Sequence, residues 1–444
     1  MSLRRTLTLL SATVLTAAVG LSLPSAQADP AQLFEYAVDA PSTEHQQQLL
    51  QKFDVLEDRD GNTLYVLGNR STATELGRAG FTPTVHRELK PITGAKPSTR
   101  LVPGAPQPAD PIDETFYGGY HTVNAHYAHL DKVAKEHPEL ATPVVYGKSY
   151  LKTKNPAAGY DLRAICLTKK QTGDCALNPN SAKPRFVMDT QIHARELGAG
   201  DMSWRYLDHL VNGYGKDAAI TTLLDTTEVW LIPIVNPDGV DYVQQGGANM
   251  GQRKNRDAEN GSCAGATVGI DLNRNWGFKW GQGGSSSSPC NDGYMGPRAD
   301  SEPETQAMQK LYTQLFPVKG NDGTAAVGDV RGLAFSIHST MGAHMFPPGW
   351  DTSNGPDFGP LNRIAGKMAS YTGYKYGPIG KTIYVATGST LDWAYGKLGV
   401  AGFVTELKSC GSFNPPYSCQ AGDWAANLPT FMYLASVAAH PYQQ

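Results

Sequence analysis

The fold of this chain is constrained most by short apolar runs that alternate with segments of helical periodicity. The runs are PRFVMDTQI, EVWLIPIVN, GLAFSIHS and GFVTEL, and they are rich in the β-branched and aromatic residues typical of strands. The helical segments cover residues 199–212, 301–316, 357–371 and 422–439. Strands that alternate with helices predict an α/β domain with a mixed, mostly parallel central sheet flanked by helices.

A smaller unit is predicted ahead of this domain. Residues 32–90 contain the strand-like runs LFEYAV and TLYVLG around a polar helical candidate at 42–53, which is a small α+β pattern. Residues 92–111 are dense in Pro, Gly and small polar side chains, which is typical of an exposed linker open to proteases. The predicted division is a small α+β domain at 29–91, a linker at 92–111 and a large domain at 112–444.

Residues 1–28 have the organisation of a signal peptide. Arg4 and Arg5 precede an apolar core at 7–23, and Ala26-Gln27-Ala28 is a small-residue cleavage site. A membrane anchor is the alternative, but the apolar run is short and ends in a cleavage signature. We therefore expect a secreted, extracellular protein.

The six cysteines fit an oxidising destination, because they fall into three close pairs along the chain. More than one connectivity is possible, and short loops favour the pairing of neighbours: Cys166 with Cys175, Cys263 with Cys290, and Cys410 with Cys419. With a net charge of −3 and no basic block, the chain is not expected to bind nucleic acid or a membrane.

A candidate metal site lies at the ends of the predicted strands. His193 and Glu196 follow PRFVMDTQI, His338 follows GLAFSI, and Glu406 lies within GFVTEL. An H-x-x-E pair alone is weak evidence, but the carboxyl ends of strands are where α/β sheets bind ligands. Catalytic zinc commonly takes two His and one carboxylate and keeps a fourth position for water. The pattern therefore predicts a site for one metal ion at His193, Glu196 and His338.

Five motifs occur in the order and approximate spacing of one known family. They are YHT…EHPEL…GKSY at 120–150, HARE at 193–196, QRKNR…DLNRNW at 252–276, SIHS at 336–339, and IYVATGSTLDW…TELK at 383–408. On these motifs, the region from about residue 116 to 440 resembles the zinc metallocarboxypeptidases of the carboxypeptidase A type, peptidase family M14, in a secreted bacterial form. The resemblance implies an enzyme that releases single C-terminal amino acids.

The resemblance also implies a mechanism. His193, Glu196 and His338 match the ligands of one zinc ion, which activates a water molecule. Glu406 matches the general base that takes a proton from this water and passes it to the leaving amine. Arg256 matches the residue that stabilises the oxyanion formed in the attack.

Further matched residues would bind the substrate. Asn273 and Arg274 match the pair that holds the terminal carboxylate, a task that suits the planar fork of arginine. Tyr384 matches a mobile tyrosine that closes over the bound terminus. Arg195 and Arg253 match subsidiary cationic positions along the groove.

The pocket for the last side chain is predicted to be apolar. Leu391 matches the pocket-floor residue that selects this side chain. The other matched lining positions are uncharged as well, namely Met345, Gly349, Ile379, Ala386 and Val404. Asp392 is expected to point elsewhere. A cationic terminus would be buried here without a partner, so we expect a preference for aromatic and aliphatic C-termini.

Residues 29–91 resemble the activation segment of such enzymes. We expect this segment to block the cleft until the chain is cut within 92–111, and a folding segment or a permanent accessory domain is the alternative. The chain has Ser339-Thr340 where the family usually has Ser-Tyr. The resemblance therefore does not predict strong binding of extended peptides.

Two other functions fit part of the pattern. One is a zinc amidase or endopeptidase that acts on cell-wall peptides, but such an enzyme has little use for Arg274. The other is a non-catalytic peptide-binding module, but Glu406 and the three metal ligands are intact. The expected partners are therefore peptide or protein substrates with a free C-terminus, bound by a monomer.

Overall fold

The computed structural model describes residues 32–89 and 110–444. The strands are β1 Leu33–Asp39, β2 Asp54–Asp60, β3 Thr63–Gly68, β4 Thr84–Leu89, β5 Thr115–Phe116, β6 Tyr120–His121, β7 Ala141–Lys148, β8 Asp161–Leu167, β9 Arg185–Thr190, β10 Glu228–Ile232, β11 Leu333–Ser339, β12 Ala343–Phe346, β13 Lys375–Pro378 and β14 Ala401–Leu407. The helices are α1 Thr43–Lys52, α2 Arg70–Arg78, α3 Val123–Glu136, α4 Tyr150–Lys154, α5 Leu197–Gly213, α6 Ala218–Thr226, α7 Pro237–Val243, α8 Pro303–Leu315, α9 Phe358–Thr372, α10 Ile379–Thr382, α11 Thr390–Trp393 and α12 Gln420–Val437.

The larger sheet has eight strands in the order β13-β12-β14-β11-β9-β10-β8-β7. Its central strands β14, β11, β9 and β10 are parallel to one another, whereas β12 pairs antiparallel with β14, β8 with β10, and β7 with β8. The four apolar runs identified in the sequence form these central strands, and every residue of β9, β10, β11 and β14 is buried. The predicted mixed, mostly parallel sheet is confirmed.

Helices cover both faces of this sheet because its strands are apolar on both sides. One face packs on α5, α6, α9 and α12, through buried residues such as Tyr206, Leu224 and Phe431. The other face packs on α8 and on the loop after Leu272, through residues such as Trp230 and Tyr312. The functional region is left at the strand ends, between these two layers.

The small N-terminal unit is a four-stranded antiparallel sheet in the order β2-β3-β1-β4, with α1 and α2 packed on it. Leu49 and Leu76 from the helices are fully buried with Val38, Leu64 and Val66 from the strands. A hydrogen bond from the His45 amide to the Ser42 hydroxyl caps the start of α1. The predicted small α+β pattern is present in residues 32–89.

Three disulfide bonds have the predicted pairing, Cys166–Cys175, Cys263–Cys290 and Cys410–Cys419. No helix within 32–89 or 110–444 is long and apolar enough to cross a membrane. The predicted signal peptide at 1–28 and all but the last two residues of the predicted linker at 92–111 lie outside the described residues.

Candidate functional site

Neighbouring parallel strands bring the predicted metal ligands to one edge of the large sheet. In the pairing of β11 with β14, His338 lies opposite Glu406. On its other side β11 pairs with β9, which ends at Thr190 three residues before His193. The chain then turns, and Glu196 stands at the N-cap position of α5. All four side chains are buried, so the fold fixes them in one place.

The three predicted ligands lie within contact distance of one another. Nδ1 of His193 is 2.7 Å from Oε1 of Glu196, and Nδ1 of His338 is 3.2 Å from Oε2 of the same carboxylate. The two Nδ1 atoms are 3.1 Å apart. One ligand atom from each residue can therefore face a common point, and this is the only such His, Cys, Asp or Glu group among residues 32–89 and 110–444.

Burial and mutual contact shift the pKa values of these residues strongly. Burial would raise the pKa of Glu196, but His193 and His338 together outweigh it and hold that pKa well below its ordinary value. Burial would lower the pKa of His338, yet the charge of Glu196 outweighs it and raises that pKa to about 9. For Glu406 burial is the largest cause, and its pKa lies well above the ordinary value. Perturbed pKa values of this kind are typical of functional sites.

The residues present fit a divalent metal ion. Two Nδ1 atoms that face each other at 3.1 Å cannot both carry a hydrogen, because the two hydrogens would point at each other, whereas two lone pairs can share a cation. Oε2 of Glu406 is buried and has no hydrogen-bond partner among the described residues. Binding of a metal ion would displace the proton that His338 otherwise holds, so affinity for the metal should rise with pH.

Asp271 contacts both His193 and Arg253, and its role was not predicted from the sequence. Its Oδ1 lies 3.3 Å from Nε2 of His193, and its Oδ2 accepts a hydrogen bond from Nε of Arg253 at 3.1 Å. A carboxylate on the outer nitrogen of a metal-binding histidine fixes the tautomer and the ring orientation. The available signal was the acidic first residue of DLNRNW, two residues before Asn273.

Asn273 and Arg274 line the same cleft as His193 and His338. Nε of Arg274 donates to the Gly284 carbonyl at 2.9 Å, and Nη1 donates to the Asn273 carbonyl at the same distance. Oδ1 of Asn273 accepts a hydrogen bond from the Thr390 amide. These bonds orient the guanidinium and still leave donors for a carboxylate, since an arginine has five N–H groups.

These residues share one cleft with a group of apolar side chains. The lining residues include His193, His338, Glu406, Asn273, Arg274, Met345, Ile379, Ala386, Leu391 and Val404. Gly349 and Asp392 are not among them, and the Gly349 amide donates to the buried Asp392 carboxylate at 2.9 Å. Met345, Ile379, Ala386, Leu391 and Val404 thus give the cleft a group of uncharged lining residues.

Arg256 does not reach the cleft. Its guanidinium stacks on the ring of Tyr242 at 3.7 Å and donates to Gln252 and to the Gly265 carbonyl. Arg253, three residues earlier, lies at the site instead, with Nη1 3.9 Å from Oε1 of Glu196. The structure thus disagrees with the matching of Arg256 to the oxyanion position. QRKNR contains two arginines three residues apart, and the sequence alone does not decide which of the two lies in the cleft.

Arg195 and Tyr384 are both buried, and neither is among the lining residues of the cleft. Arg195 makes a two-pronged ion pair with Asp54, at 2.9 and 3.1 Å, and its guanidinium lies 4.4 Å above the ring of Phe413. A second carboxylate, that of Asp292, is 3.2 Å away. Tyr384 is 1% exposed, so it is held inside the protein in this structure.

The N-terminal unit lies over the cleft, and β2 is the part that enters it. The contacts between residues 47–59 and the large domain include ion pairs and hydrogen bonds: Asp54 to Arg195, Glu57 to Arg253, Asp58 to Lys375, Arg59 to the Ile383 carbonyl, and Gln47, Gln51 and Phe53 to Gly284, Ser286 and Asn291. Thr340 lines a second cleft together with Leu56. Access to the first cleft is therefore obstructed by the chain itself.

Comparison with known proteins gives an independent assignment. The family described as "Zinc carboxypeptidase" matches residues 126–429. Carboxypeptidase A2 of Mus musculus is 34% identical over 304 residues, which is 67% of this chain and 64% of the relative. Carboxypeptidase A1 of Bos taurus is 31% identical over 303 residues, with the same two coverages. The chain thus matches slightly less than two thirds of the length of these curated relatives.

Solved structures are similar in fold over most of the chain. Carboxypeptidase A from Helicoverpa armigera superposes with a TM-score of 0.70 at 21% identity, covering 92% of this chain and 97% of that one. Thrombin activatable fibrinolysis inhibitor gives a TM-score of 0.67 at 23% identity, covering 92% of this chain and 99% of that one. At these identities the likeness concerns the fold alone.

Proposed function

The chain belongs to the zinc carboxypeptidase family, and from this premise we propose that it is a secreted zinc metallocarboxypeptidase that removes single aromatic or aliphatic residues from peptide C-termini. The observation that supports this most is the meeting of the His193, Glu196 and His338 group with Arg274 in one cleft. A metal ligand set alone would serve many hydrolases, whereas a buried arginine beside it suits a substrate with a free terminal carboxylate.

Each residue of the site has a distinct task in this proposal. His193, Glu196 and His338 would hold zinc, which when bound would polarise the scissile carbonyl and lower the pKa of water. Glu406, buried beside His338, would take a proton from the attacking water and return it to the leaving amine. Arg253 would face the oxyanion, because its guanidinium lies against the metal ligands while Arg256 lies outside the cleft.

The pocket sets the proposed substrate preference. Leu391, Met345, Ile379 and Val404 are buried, apolar and aligned along the cleft next to Arg274. An aromatic or aliphatic side chain placed there gains roughly 25 cal/mol per Å² of buried apolar surface, whereas an unpaired cation would lose several kcal/mol. Substrates ending in Phe, Tyr, Leu or Met should therefore be cleaved best.

Hydrolysis of two matched substrates tests the proposed activity. One is a blocked dipeptide ending in Phe, and the other is the same compound amidated at its C-terminus, both given to the protein after cleavage within 92–111. We expect release of Phe from the free acid only, and loss of this release with a zinc chelator. Equal cleavage of the amide would instead identify an amidase or endopeptidase, and a metal-loaded protein that cleaves neither would be a binding module.

Residues 29–91 are, in this proposal, an inhibitory segment that cleavage in the linker releases. The obstruction of the cleft by β2 supports this assignment over a permanent accessory domain. Full-length protein should hydrolyse the Phe substrate much more slowly than the cleaved protein, and equal rates for the two forms would refute inhibition. Secretion rests on the predicted signal peptide and on the disulfides. The relatives compared are animal proteins and give no support to the predicted bacterial source.

A further inference from the structure

The pairing of four strands places one polar residue in the wall of the proposed specificity pocket. Ser336 on β11 lies opposite Val404 on β14, and Val404 lies opposite Met345 on β12. Residues that pair across neighbouring strands face the same side of a sheet, and these three all line the cleft. On its other side Ser336 pairs with Asp189 on β9, which is fully buried and is not among the lining residues. Ser336 is therefore the polar member of this row at the cleft.

The alternation of side chains along β11 gives the depth at which Ser336 lies. Residues two apart on a strand face the same side, about 6–7 Å from each other. Ser336 is one such step from the proposed metal ligand His338, and the next step is Ala334, which pairs with Gly402. Leu391 packs against Gly402, since a side-chain carbon placed on Gly402 would lie 3.4 Å from Cβ of Leu391. The Ser336 side chain thus lies between the level of the metal site and that of Leu391.

The Ser336 hydroxyl uses its hydrogen on a buried carboxylate. Its Oγ donates to Oδ1 of Asp189 at 2.7 Å, and the Tyr312 hydroxyl donates to Oδ2 at 3.1 Å. Burial raises the pKa of Asp189, while these two hydrogen bonds and the charge of His338 act against the rise. A carboxylate only accepts hydrogen bonds, so both hydroxyl hydrogens point at Asp189. A serine oxygen keeps two lone pairs, and Ser336 can therefore offer the cleft an acceptor but no donor.

An uncharged acceptor among apolar side chains suits a neutral ligand group with one hydrogen-bond donor. The tyrosine phenol is such a group, because it combines an apolar ring with a donor at its tip. Its ring can lie against Val404 and Met345 while its hydroxyl donates to Oγ of Ser336. A terminal phenylalanine fits the same apolar side chains but brings no donor to this oxygen.

We propose that Ser336, held by Asp189, makes the pocket select tyrosine over phenylalanine at the substrate C-terminus. This inference rests on the proposed carboxypeptidase function and deepens it, because it names the favoured side chain and the atom that recognises it. Ser336 determines specificity by direct contact with the phenol. Asp189 is a positioning residue, because it acts only through the orientation of the Ser336 hydroxyl.

Two substrates and one serine variant test this selection. The cleaved enzyme and its Ser336→Ala variant are given blocked dipeptides that end in Tyr or in Phe, and kcat/KM is measured for all four combinations. We expect the wild type to prefer the Tyr substrate about threefold or more, and this preference to fall about tenfold in the variant, since a buried phenol hydroxyl then lacks its acceptor. The ratio of the two substrates cancels any general loss of activity.

Tyr312→Phe is the matched control for a merely structural role. It removes the other hydroxyl that donates to Asp189, and Tyr312 is not among the lining residues of the cleft. This variant should keep the wild-type preference for Tyr over Phe. If the bond between Ser336 and Asp189 serves only to join β9 and β11, Ser336→Ala will keep the wild-type preference as well, and that result would overturn the proposal.

A binding measurement separates this test from the proposed function. The same two dipeptides are titrated by calorimetry into the zinc-loaded Glu406→Gln protein, with and without Ser336→Ala. The ratio of the two dissociation constants should change in the same direction as the kinetic preference, and an unchanged ratio would refute the role of Ser336. Cleaved wild-type protein that hydrolyses neither dipeptide would refute the proposed function, and the binding ratio would still decide whether Ser336 selects tyrosine.

Discussion

Glu406 is the residue on which the proposed chemistry depends most, because it is buried opposite His338 with an oxygen that has no partner among the described residues. Changing Glu406 to Gln removes the base while keeping shape and burial. We expect kcat of the cleaved enzyme to fall by about 10²–10⁴-fold, the range typical for a general base. Zinc content measured on the same sample should be unchanged, and a variant that keeps wild-type kcat would exclude Glu406 as the base.

Leu391 is the residue predicted to select the substrate side chain. Leu391→Asp would place a carboxylate in the apolar pocket, where it could pair with a terminal Lys or Arg. We expect kcat/KM to fall about tenfold or more for a Phe terminus and to rise for an Arg terminus, since either charge alone in the pocket is costly. Parallel assays with both substrates measure this, and an equal loss for the two would show that Leu391 does not contact the side chain.

Sequence reasoning at this scale succeeded where chemistry and spacing were both distinctive. HARE and SIHS predicted ligands that meet in the structure, and DLNRNW predicted Arg274 in the cleft. It failed where two residues of one type stood three apart, as for Arg253 and Arg256. The contact of Asp271 with His193 depends on how two loops approach each other in the fold. The spacing of residues within one motif therefore cannot predict it.

At the scale of elements, the strands that could be predicted are the mainly apolar runs, which are β1 and β3 of the small sheet and the four fully buried strands of the large sheet. β9, β10, β11 and β14 are mainly apolar, whereas β7, with the sequence ATPVVYGK, is only partly buried at the sheet edge and was not predicted. β2, with the sequence DVLEDRD, is the clearest case of a hidden strand. Its acidic composition disfavours a strand, and its conformation is set by pairing with β3 and by the arginines of the cleft.

The contact of β2 with Arg195 should make inhibition depend on pH. Burial, followed by the neighbouring charge of Asp54, raises the pKa of Asp292 to about 7, against the opposing effects of Arg195 and Lys254. Burial would also raise the pKa of Asp54, but Arg195 outweighs it and that pKa ends below its ordinary value. In the uncleaved chain Asp292 should therefore hold a proton up to about pH 7, and it should give up this proton at lower pH once Asp54 has left.

Inhibition should accordingly be strongest in mild acid and weaken as the pH rises. Inhibition should weaken by up to about tenfold per pH unit between about pH 4, which is the ordinary pKa of an aspartate, and about pH 7. Above about pH 7 it should not weaken further. The ratio of uncleaved to cleaved activity on one substrate measures it and cancels the pH dependence of catalysis itself. Asp292→Asn should flatten the profile, and an unchanged profile would show that another group titrates.

At the scale of the whole molecule, the two ends of the large sheet have different tasks. The carboxyl ends of β9, β11 and β14 hold the cleft, while the opposite edge holds a buried ion pair at the starts of β9 and β10. Nε of Arg185 lies 2.6 Å from Glu228, which also accepts hydrogen bonds from the Cys175 amide, Ser181 and Trp230. In an open α/β sheet the ligand site is expected at the carboxyl ends of the strands, so the buried ion pair at their other ends is expected to serve stability.

Removal of this pair should therefore affect folding more than catalysis. Glu228→Gln leaves Arg185 buried without a counter-charge, and we expect a loss of about 3–5 kcal/mol in the free energy of unfolding. Denaturant titration of the oxidised protein measures it. Asp131→Asn, which breaks the exposed pair with Arg163, is the control and should cost no more than about 1 kcal/mol. Equal effects of the two changes would contradict a structural role for Glu228.

The central claim is that this cleft recognises a free C-terminal carboxylate through Arg274, and one ratio tests it most directly. The cleaved wild-type enzyme and its Arg274→Gln variant are given the blocked Phe dipeptide as free acid and as amide, and kcat/KM is measured for all four combinations. In the wild type the acid should be strongly preferred. In the variant that preference should fall about 100-fold or more, since loss of one partner of a buried charge pair costs about 2–5 kcal/mol. A variant that keeps the wild-type preference for the free acid would contradict the account.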